Sequence, residues 1–169
     1  MKFLSSISLA ATLALCATVG SAQTANITFG DQPHDDSQPV EIVSDSLSMD
    51  QNTGQAVFEG NVTVVQDTMR LSADKIAVAY VVVDGAMTGD IDTMTADGNV
   101  LLVNGEETAK GGKAVYTVQE DVIVLTGNVM LNQGVSTLAG DTLRVNLESG
   151  SGTMEGRVRT VIQPKKATE

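Results

Sequence analysis

The sequence predicts an all-β chain, an array of short strands laid side by side, and three observations carry that prediction. A short phrase recurs as Gly60-Asn61-Val62, Gly98-Asn99-Val100, Gly127-Asn128-Val129 and the variant Gly156-Arg157-Val158. Between its copies lies a second phrase, a small residue and Asp ahead of alternating apolar residues: Ala73-Asp74-Lys75-Ile76 and Gly140-Asp141-Thr142-Leu143, with Ser44-Asp45-Ser46-Leu47 and Gly111-Gly112-Lys113-Ala114 as weaker copies. The two phrases follow each other at steps of 14 or 15 residues, with one longer step of 24 between Asp74 and Gly98. Such self-similarity marks a stacked architecture whose units bury their apolar faces on their neighbours. The second observation is apolar alternation of period two: Leu143, Val145 and Leu147 alternate with Thr142, Arg144 and Asn146, and Ile76, Val78 and Tyr80 with Lys75, Ala77 and Ala79. The third is that Pro stands only at 33, 39 and 164. The long stretch between Pro39 and Pro164 therefore keeps every backbone donor that a strand ladder needs.

Taken in order, Lys2, the apolar run from Phe3 to Val19 and Gly20-Ser21-Ala22 read as a secretory signal segment over 1–22. A lipoprotein signal around Leu13-Ala14-Leu15-Cys16 is the competing reading, disfavoured by the bulky Leu15 before the Cys. Cleavage after Ala22 removes Cys16, the single cysteine, so disulfide and thiol chemistry drop out. Residues 23–38 lack periodicity, hold Pro33 and the sole His34, and read as a flexible leader. A β domain over 39–164 and a short basic tail over 165–169 follow. Parity changes between neighbouring segments: Met69 and Leu71 are odd, Ile76 and Val78 even. The change falls at Ala73-Asp74, where a corner or bulge re-aims the side chains. Gly-Asn suits the same task, since both residues tolerate a left-handed backbone. Turns are marked at Gln51-Asn52-Thr53-Gly54, Asp84-Gly85, Asn104-Gly105, Asn132-Gln133-Gly134 and Ser149-Gly150-Ser151-Gly152. Residues 81–92, inside the long step, read as an extended hairpin or loop. Period alone leaves two ways of hiding the apolar face: stacked coils of a β-helix, or a slit-like half-barrel.

The chain carries 10 Lys and Arg against 21 Asp and Glu, a formal net charge of −11, and loss of Lys2 makes it more acidic. That balance argues against nucleic-acid binding and against adhesion to anionic lipid. The absence of Trp and the scarcity of aromatics disfavour a sugar-stacking lectin and an outer-membrane barrel with aromatic girdles. Charge is unevenly placed: residues 23–69 hold no Lys, and their acids Asp31, Asp35, Asp36, Glu41, Asp45, Asp50, Glu59 and Asp67 precede the first Arg at position 70. Arg157, Arg159, Lys165 and Lys166 gather near the other end. The ends are either solvated independently or complementary.

Catalysis has little to work with. A lone His34 supports neither a His-based triad nor a multi-His zinc site, and the Ser and Thr residues have no base partner. Asp74 and Asp141 occupy equivalent places in two repeats, which suits a metal or glycosidase site; the simpler reading is that each caps a corner by bonding local backbone amides. Met69, Met87, Met94, Met130 and Met154 read as gap-filling core.

The segments Gln38-Pro39-Val40-Glu41-Ile42-Val43-Ser44-Asp45, Ala56-Val57-Phe58-Glu59-Gly60-Asn61-Val62 and Met69-Arg70-Leu71-Ser72-Ala73-Asp74-Lys75-Ile76 resemble the start of the OstA-like family of lipopolysaccharide-transport proteins. Val122-Ile123-Val124-Leu125-Thr126-Gly127-Asn128-Val129 resembles a later family strand, and Gly140-Asp141 with Arg157-Val158-Arg159-Thr160-Val161 the closing segment, so the likeness spans about residues 38–164. The short tail after Pro164 and the regular repeat over 90–103 depart from the family pattern. The resemblance implies a twisted antiparallel β-jelly-roll-like half-barrel, open at both ends, whose interior holds the acyl chains of lipid A. It also implies a periplasmic location and no cofactor, metal or catalysis. Molecules of this kind join head to tail and bridge an LptC-like inner-membrane partner and an LptD-like outer-membrane partner.

Parity then nominates Val40, Ile42, Val62, Val64, Met69, Leu71, Ile76, Val78, Tyr116, Val118, Leu143 and Val145 for the inward face, as lipid contacts or as plain core. Glu41 and Asp45 at one end and Arg157 and Arg159 at the other are the candidate end-to-end contacts. Three rival readings remain: a secreted parallel β-helix with a structural or adhesive role and a dry core, a carbohydrate-active β-helix enzyme, and an LptC-like relative with an uncleaved anchor. The small residues at 20–22 argue against the last.

Overall fold

The computed structural model describes residues 25–29 and 38–162. The signal segment 1–22 with Cys16, the stretch 30–37 with Pro33 and His34, and the tail 165–169 lie outside the described residues. Eleven strands form one sheet: β1 (Ala25–Thr28), β2 (Glu41–Val43), β3 (Ser46–Asp50), β4 (Gln55–Gln66), β5 (Met69–Val83), β6 (Ala86–Asn104), β7 (Glu107–Thr117), β8 (Val122–Gln133), β9 (Ser136–Asn146), β10 (Ser151–Glu155) and β11 (Arg159–Ile162). One 3-10 turn, Val118–Glu120, joins β7 to β8. The order is β1-β10-β9-β8-β7-β6-β5-β4-β2, with β3 also on β4 and β11 also on β9. Every pairing is antiparallel, which overturns the parallel β-helix. The sheet does not close on itself.

The short strands expected from the repeats are fused in pairs, because the corner phrases bend a strand without ending it. Gly60 and Asn61 (φ 81 and 48), and Gly98 and Asn99 (φ 78 and 47), each put two successive residues in the left-handed region. Pairing of β4 with β5 consequently skips from Glu59↔Lys75 to Val62↔Ala73, and that of β6 with β7 from Asp97↔Lys113 to Val100↔Gly111. A bulge of this kind sharpens the local bend. The Asp of the second phrase fastens it: Asn61 Nδ2 donates to Asp45 Oδ2, and Asn99 Nδ2 to Asp74 Oδ2, both at 2.8 Å. The Arg157 guanidinium does the same for Asp141 at 3.4 Å. Asp therefore bonds a side chain on the neighbouring strand, not the local backbone amides that its position suggested. A Cβ on Gly60 or Gly98 would stand 2.4 Å from the carboxylate oxygen, so glycine is required by contact as well as by φ. At the third corner Gly127 faces Gly112, and no carboxylate intervenes.

Each long strand is bent at its corner, and the sheet doubles over along the line of corners. In one half the inward rungs read Leu47–Phe58–Ile76–Ala96–Ala114–Leu125–Leu143–Met154 and Met49–Ala56–Val78–Met94–Tyr116–Ile123–Val145–Gly152. In the other a rung runs Ile42–Val64–Leu71–Leu102–Ala109–Leu131–Leu138–Thr160. The buried members of both halves form one apolar core. The strand ends meet opposite the corners at a mouth, where Gln133 Nε2 of one half donates to the Thr28 carbonyl of the other.

Residues 25–29 depart from the aperiodic leader expected of them. Ile27 and Phe29 are buried, and β1 lies antiparallel on the outer edge of β10. Two apolar residues at period two are too few to stand out in a sequence, yet they suffice on an edge already formed. The long step is a hairpin: β5 and β6 run on to Val83↔Ala86 around Asp84-Gly85, leaving Val82 and Val83 exposed.

Gly98→Ala is expected to cost about 2–3 kcal/mol in urea unfolding, against about 1 kcal/mol for Gly85→Ala, whose φ is +80 with open space around it. In an Asp74→Ala background the excess at Gly98 should largely vanish. Additive costs would disprove the clasp.

Candidate functional site

The nominated inward residues fall on the inner face. Val62, Val64, Met69, Leu71, Ile76, Val78, Tyr116, Leu143 and Val145 are buried, and Val40, Ile42 and Val118 pack partly buried against them. The interior is filled by these side chains. The cavity enclosed by Val64, Met69, Leu71, Met94, Leu102, Tyr116 and Ile123 measures only about 10 Å³, close to the space one water needs. Room increases at the mouth, where Val40, Ile91, Met94, Tyr116 and Val118, with Gln38, Gln66, Gly89 and Asp90, line a cleft of about 250 Å³.

One lip of that mouth is polar. Gln66 is buried and donates from Nε2 to the Gln38 carbonyl at 3.0 Å. Asn104 and Glu107 are paired in register, and Gln133 Nε2 reaches Glu107 Oε1 at 2.9 Å. On the facing side the Tyr116 hydroxyl donates to Asp121 Oδ1 at 3.3 Å, so the ring is apolar inward and tethered outward. Ile91 and Gln66 went unrecognised in the sequence, and Met94 was read as core without being placed at the mouth. Ile91 lies on the long hairpin, where the β5–β6 register shifts at Tyr80 break the parity rule; Met94, opposite Val78, lies before those shifts and keeps the parity of Ala96. Gln66 continues the parity of Val62 and Val64, and that polar residue on an apolar track was the available signal.

The two ends differ. Leu47 and Met49 sit on inward rungs yet are 53% and 51% exposed, because no strand among the described residues lies beyond β3. Glu41 is exposed on the outer face of β2, and all four residues of β11 are exposed, Arg159 among them. Asp45 and Arg157 are instead engaged within the molecule, in the corner clasps to Asn61 and Asp141. Of the four candidate end contacts, Glu41 and Arg159 alone are uncommitted to a clasp. Arg157 and Arg159 border a surface cleft of about 320 Å³ with Asn128, Met130 and Asp141. At the end of β3 the Asn52 amide N–H holds the Asp50 carboxyl below its usual range. Among the described residues no three His, Cys, Asp or Glu gather as a metal site would need.

Comparison with known proteins extends this geometry. Residues 41–151 match the protein-family model described as LptA/(LptD N-terminal domain) LPS transport protein. An uncharacterized protein of Rhizobium meliloti is 33% identical over 76% of this chain and 73% of its own length. The lipopolysaccharide export system protein LptA of Escherichia coli K12 is 32% identical over 64% of this chain, and the match spans 60% of that protein. The crystal structure of LptH, described as the LptA-homologous periplasmic component of the lipopolysaccharide transport device of Pseudomonas aeruginosa, superposes with a TM-score of 0.65. It covers 78% of this chain and 100% of that one at 21% identity, a likeness of fold.

Replacing Leu143 or Leu131 by Ala should cost about 2–5 kcal/mol, the range for a large buried side chain. Leu47→Ser with Met49→Ser should change the stability of the isolated molecule by less than about 1 kcal/mol despite the shared rungs. Equal losses at the two places, in denaturant titrations at low protein concentration, would refute an open end at β3.

Proposed function

The chain belongs to the LptA/(LptD N-terminal domain) family of LPS transport proteins, and we propose that it carries lipopolysaccharide across the periplasm as one length of a lipid conduit. The observation that supports this most is the single apolar interior shared by two facing half-sheets and opening at a mouth with one polar lip. Acyl chains lie along the cleft of Val40, Ile91, Met94, Tyr116 and Val118, with the sugar and phosphate portion outside against the polar lip. Deeper seating requires the halves to part at the mouth, since the interior is already filled. Each methylene withheld from water is worth about 0.8 kcal/mol, so a chain of a dozen or so is held by roughly 10 kcal/mol. Release into water is then too slow to be useful. Passage into a like interior costs little, and the protein acts by continuity without catalysis.

Continuity requires neighbours. The β2 and β3 end of one copy meets the β10 and β11 end of the next, a heterologous contact that extends without closing. The same ends serve an LptC-like partner at the inner membrane and an LptD-like partner at the outer membrane. Glu41 on the outer face of β2 and Arg159 on that of β11 supply complementary charge. Among the described residues no helix is long and apolar enough to cross a membrane.

Benzophenone photo-crosslinkers at Ile42 and Val118 should yield lipopolysaccharide adducts in intact cells, and one at the exposed Arg144 should not. Absence of adducts at every inward position would reject the transport reading. Arg159→Glu, which leaves the Arg157–Asp141 clasp intact, should weaken self-association roughly threefold, the effect of about 0.7 kcal/mol from one charge reversal, and reduce its salt dependence. Unchanged light scattering would remove that charge from the contact.

A further inference from the structure

β1 stands where a second copy would dock. The first half of β4 and all of β10 run the same way, from the mouth towards the corners, and each has an antiparallel strand on its outer side: β3 on β4, β1 on β10. The registers correspond. On β4, Phe58 and Ala56 face Leu47 and Met49; on β10, Met154 and Gly152 face Ala25 and Ile27. Phe58 and Met154 share one inward rung, Ala56 and Gly152 the next. β1 thus occupies at one end of the sheet the rungs that β3 occupies at the other. Both read as apolar residues spaced by short polar ones, Ala25-Asn26-Ile27-Thr28-Phe29 beside Leu47-Ser48-Met49.

Their exposure is opposite. Ile27 and Phe29 are 8% and 1% exposed, and the Phe29 N–H donates to the Gly150 carbonyl at 2.6 Å, whereas Leu47 and Met49 are about half exposed. A second copy presenting β3 to β10 would continue both rungs in the correct direction, Leu47 beyond Met154 and Met49 beyond Gly152. The backbone edge of β10 that it needs is already bonded to β1. The edge of β11 on the other half-sheet, by contrast, has no further strand among the described residues and can receive the incoming β2 first.

We propose that β1 is a tethered stand-in for β3 of the next copy, closing the β10 edge until a second molecule displaces it. This rests on the end-to-end reading above and adds the gate to it. Because β1 is part of the same chain it competes at a high effective concentration, so dilute copies stay separate. Displacement exchanges one short apolar strand for another, and the added β2–β11 pairing biases the exchange towards assembly.

Thr28 and Ser151 are directly opposed and exposed, so the pair Thr28→Cys with Ser151→Cys allows β1 to be locked to β10 by oxidation. The mature chain carrying the pair should remain monomeric when oxidised, in light scattering over rising concentration, and associate like the unaltered protein when reduced. Phe29→Ala, which weakens the stand-in and leaves both docking strands intact, should associate at roughly tenfold lower concentration. Association indifferent to oxidation would overturn the gate alone. A disulfide joining two copies on a non-reducing gel would also overturn it, in favour of β1 passing onto the neighbour. No association by the unaltered or the reduced protein would overturn the end-to-end reading itself.

Discussion

The structure depends on how a strand can turn a corner without losing its ladder. A single antiparallel sheet with one apolar face must hide that face, and here it doubles over along a line where Gly and Asn take left-handed backbone together. The cost of that conformation falls on two residues in every second long strand, β4, β6 and β8. Part of it is recovered when the Asn amide reaches the Asp carboxylate of the adjacent strand. The neighbouring ion pairs, Lys75 with Glu59 at 2.9 Å and Lys113 with Asp97 at 3.3 Å, are half exposed and add little. Everything inward follows from the fold-over: the facing rungs, the shared core, and a mouth on the side away from the corners.

Much of this was legible because corner chemistry is local. Gly-Asn and Asp recur at fixed steps, and period-two parity separates inward from outward residues once the corners are known. What was illegible is what depends on partners distant in sequence. The period could not distinguish stacked coils from a doubled sheet, since strand direction is invisible in spacing. Ile27 and Phe29 read as leader because they are buried only once β1 lies on β10, beside Gly152 and Gly150, far along the chain. Ile91 lies where β-bulges shift the count. Asp45 and Arg157 looked like free end charges, and their clasps could be seen only once the neighbouring strand was placed.

The interior bears on how a conduit and a stable protein can be the same object. A preformed empty channel would forfeit the dispersion contacts that hold the sheet halves together. This molecule keeps its core filled, and the space that adjoins the core lies at the mouth, between apolar walls and a hydrogen-bonded polar lip. Under the proposed transport role, cargo would compete with the protein's own side chains for the same surface. The folded chain thereby stays stable when unloaded.

The clasps also fix how such a molecule can change in length. They join β3 to β4, β5 to β6 and β9 to the segment after β10, and the clasp-free Gly112–Gly127 contact joins β7 to β8, so the natural unit is a pair of strands. A single inserted strand would carry the chain to the wrong lip and set unlike corners against each other. One unit is a 14-residue step plus a 15-residue step, and it lengthens the sheet by two strand spacings, about 10 Å. The length of one such sheet is therefore quantised, and under the proposed end-to-end reading any distance between these steps would be met by the number of copies.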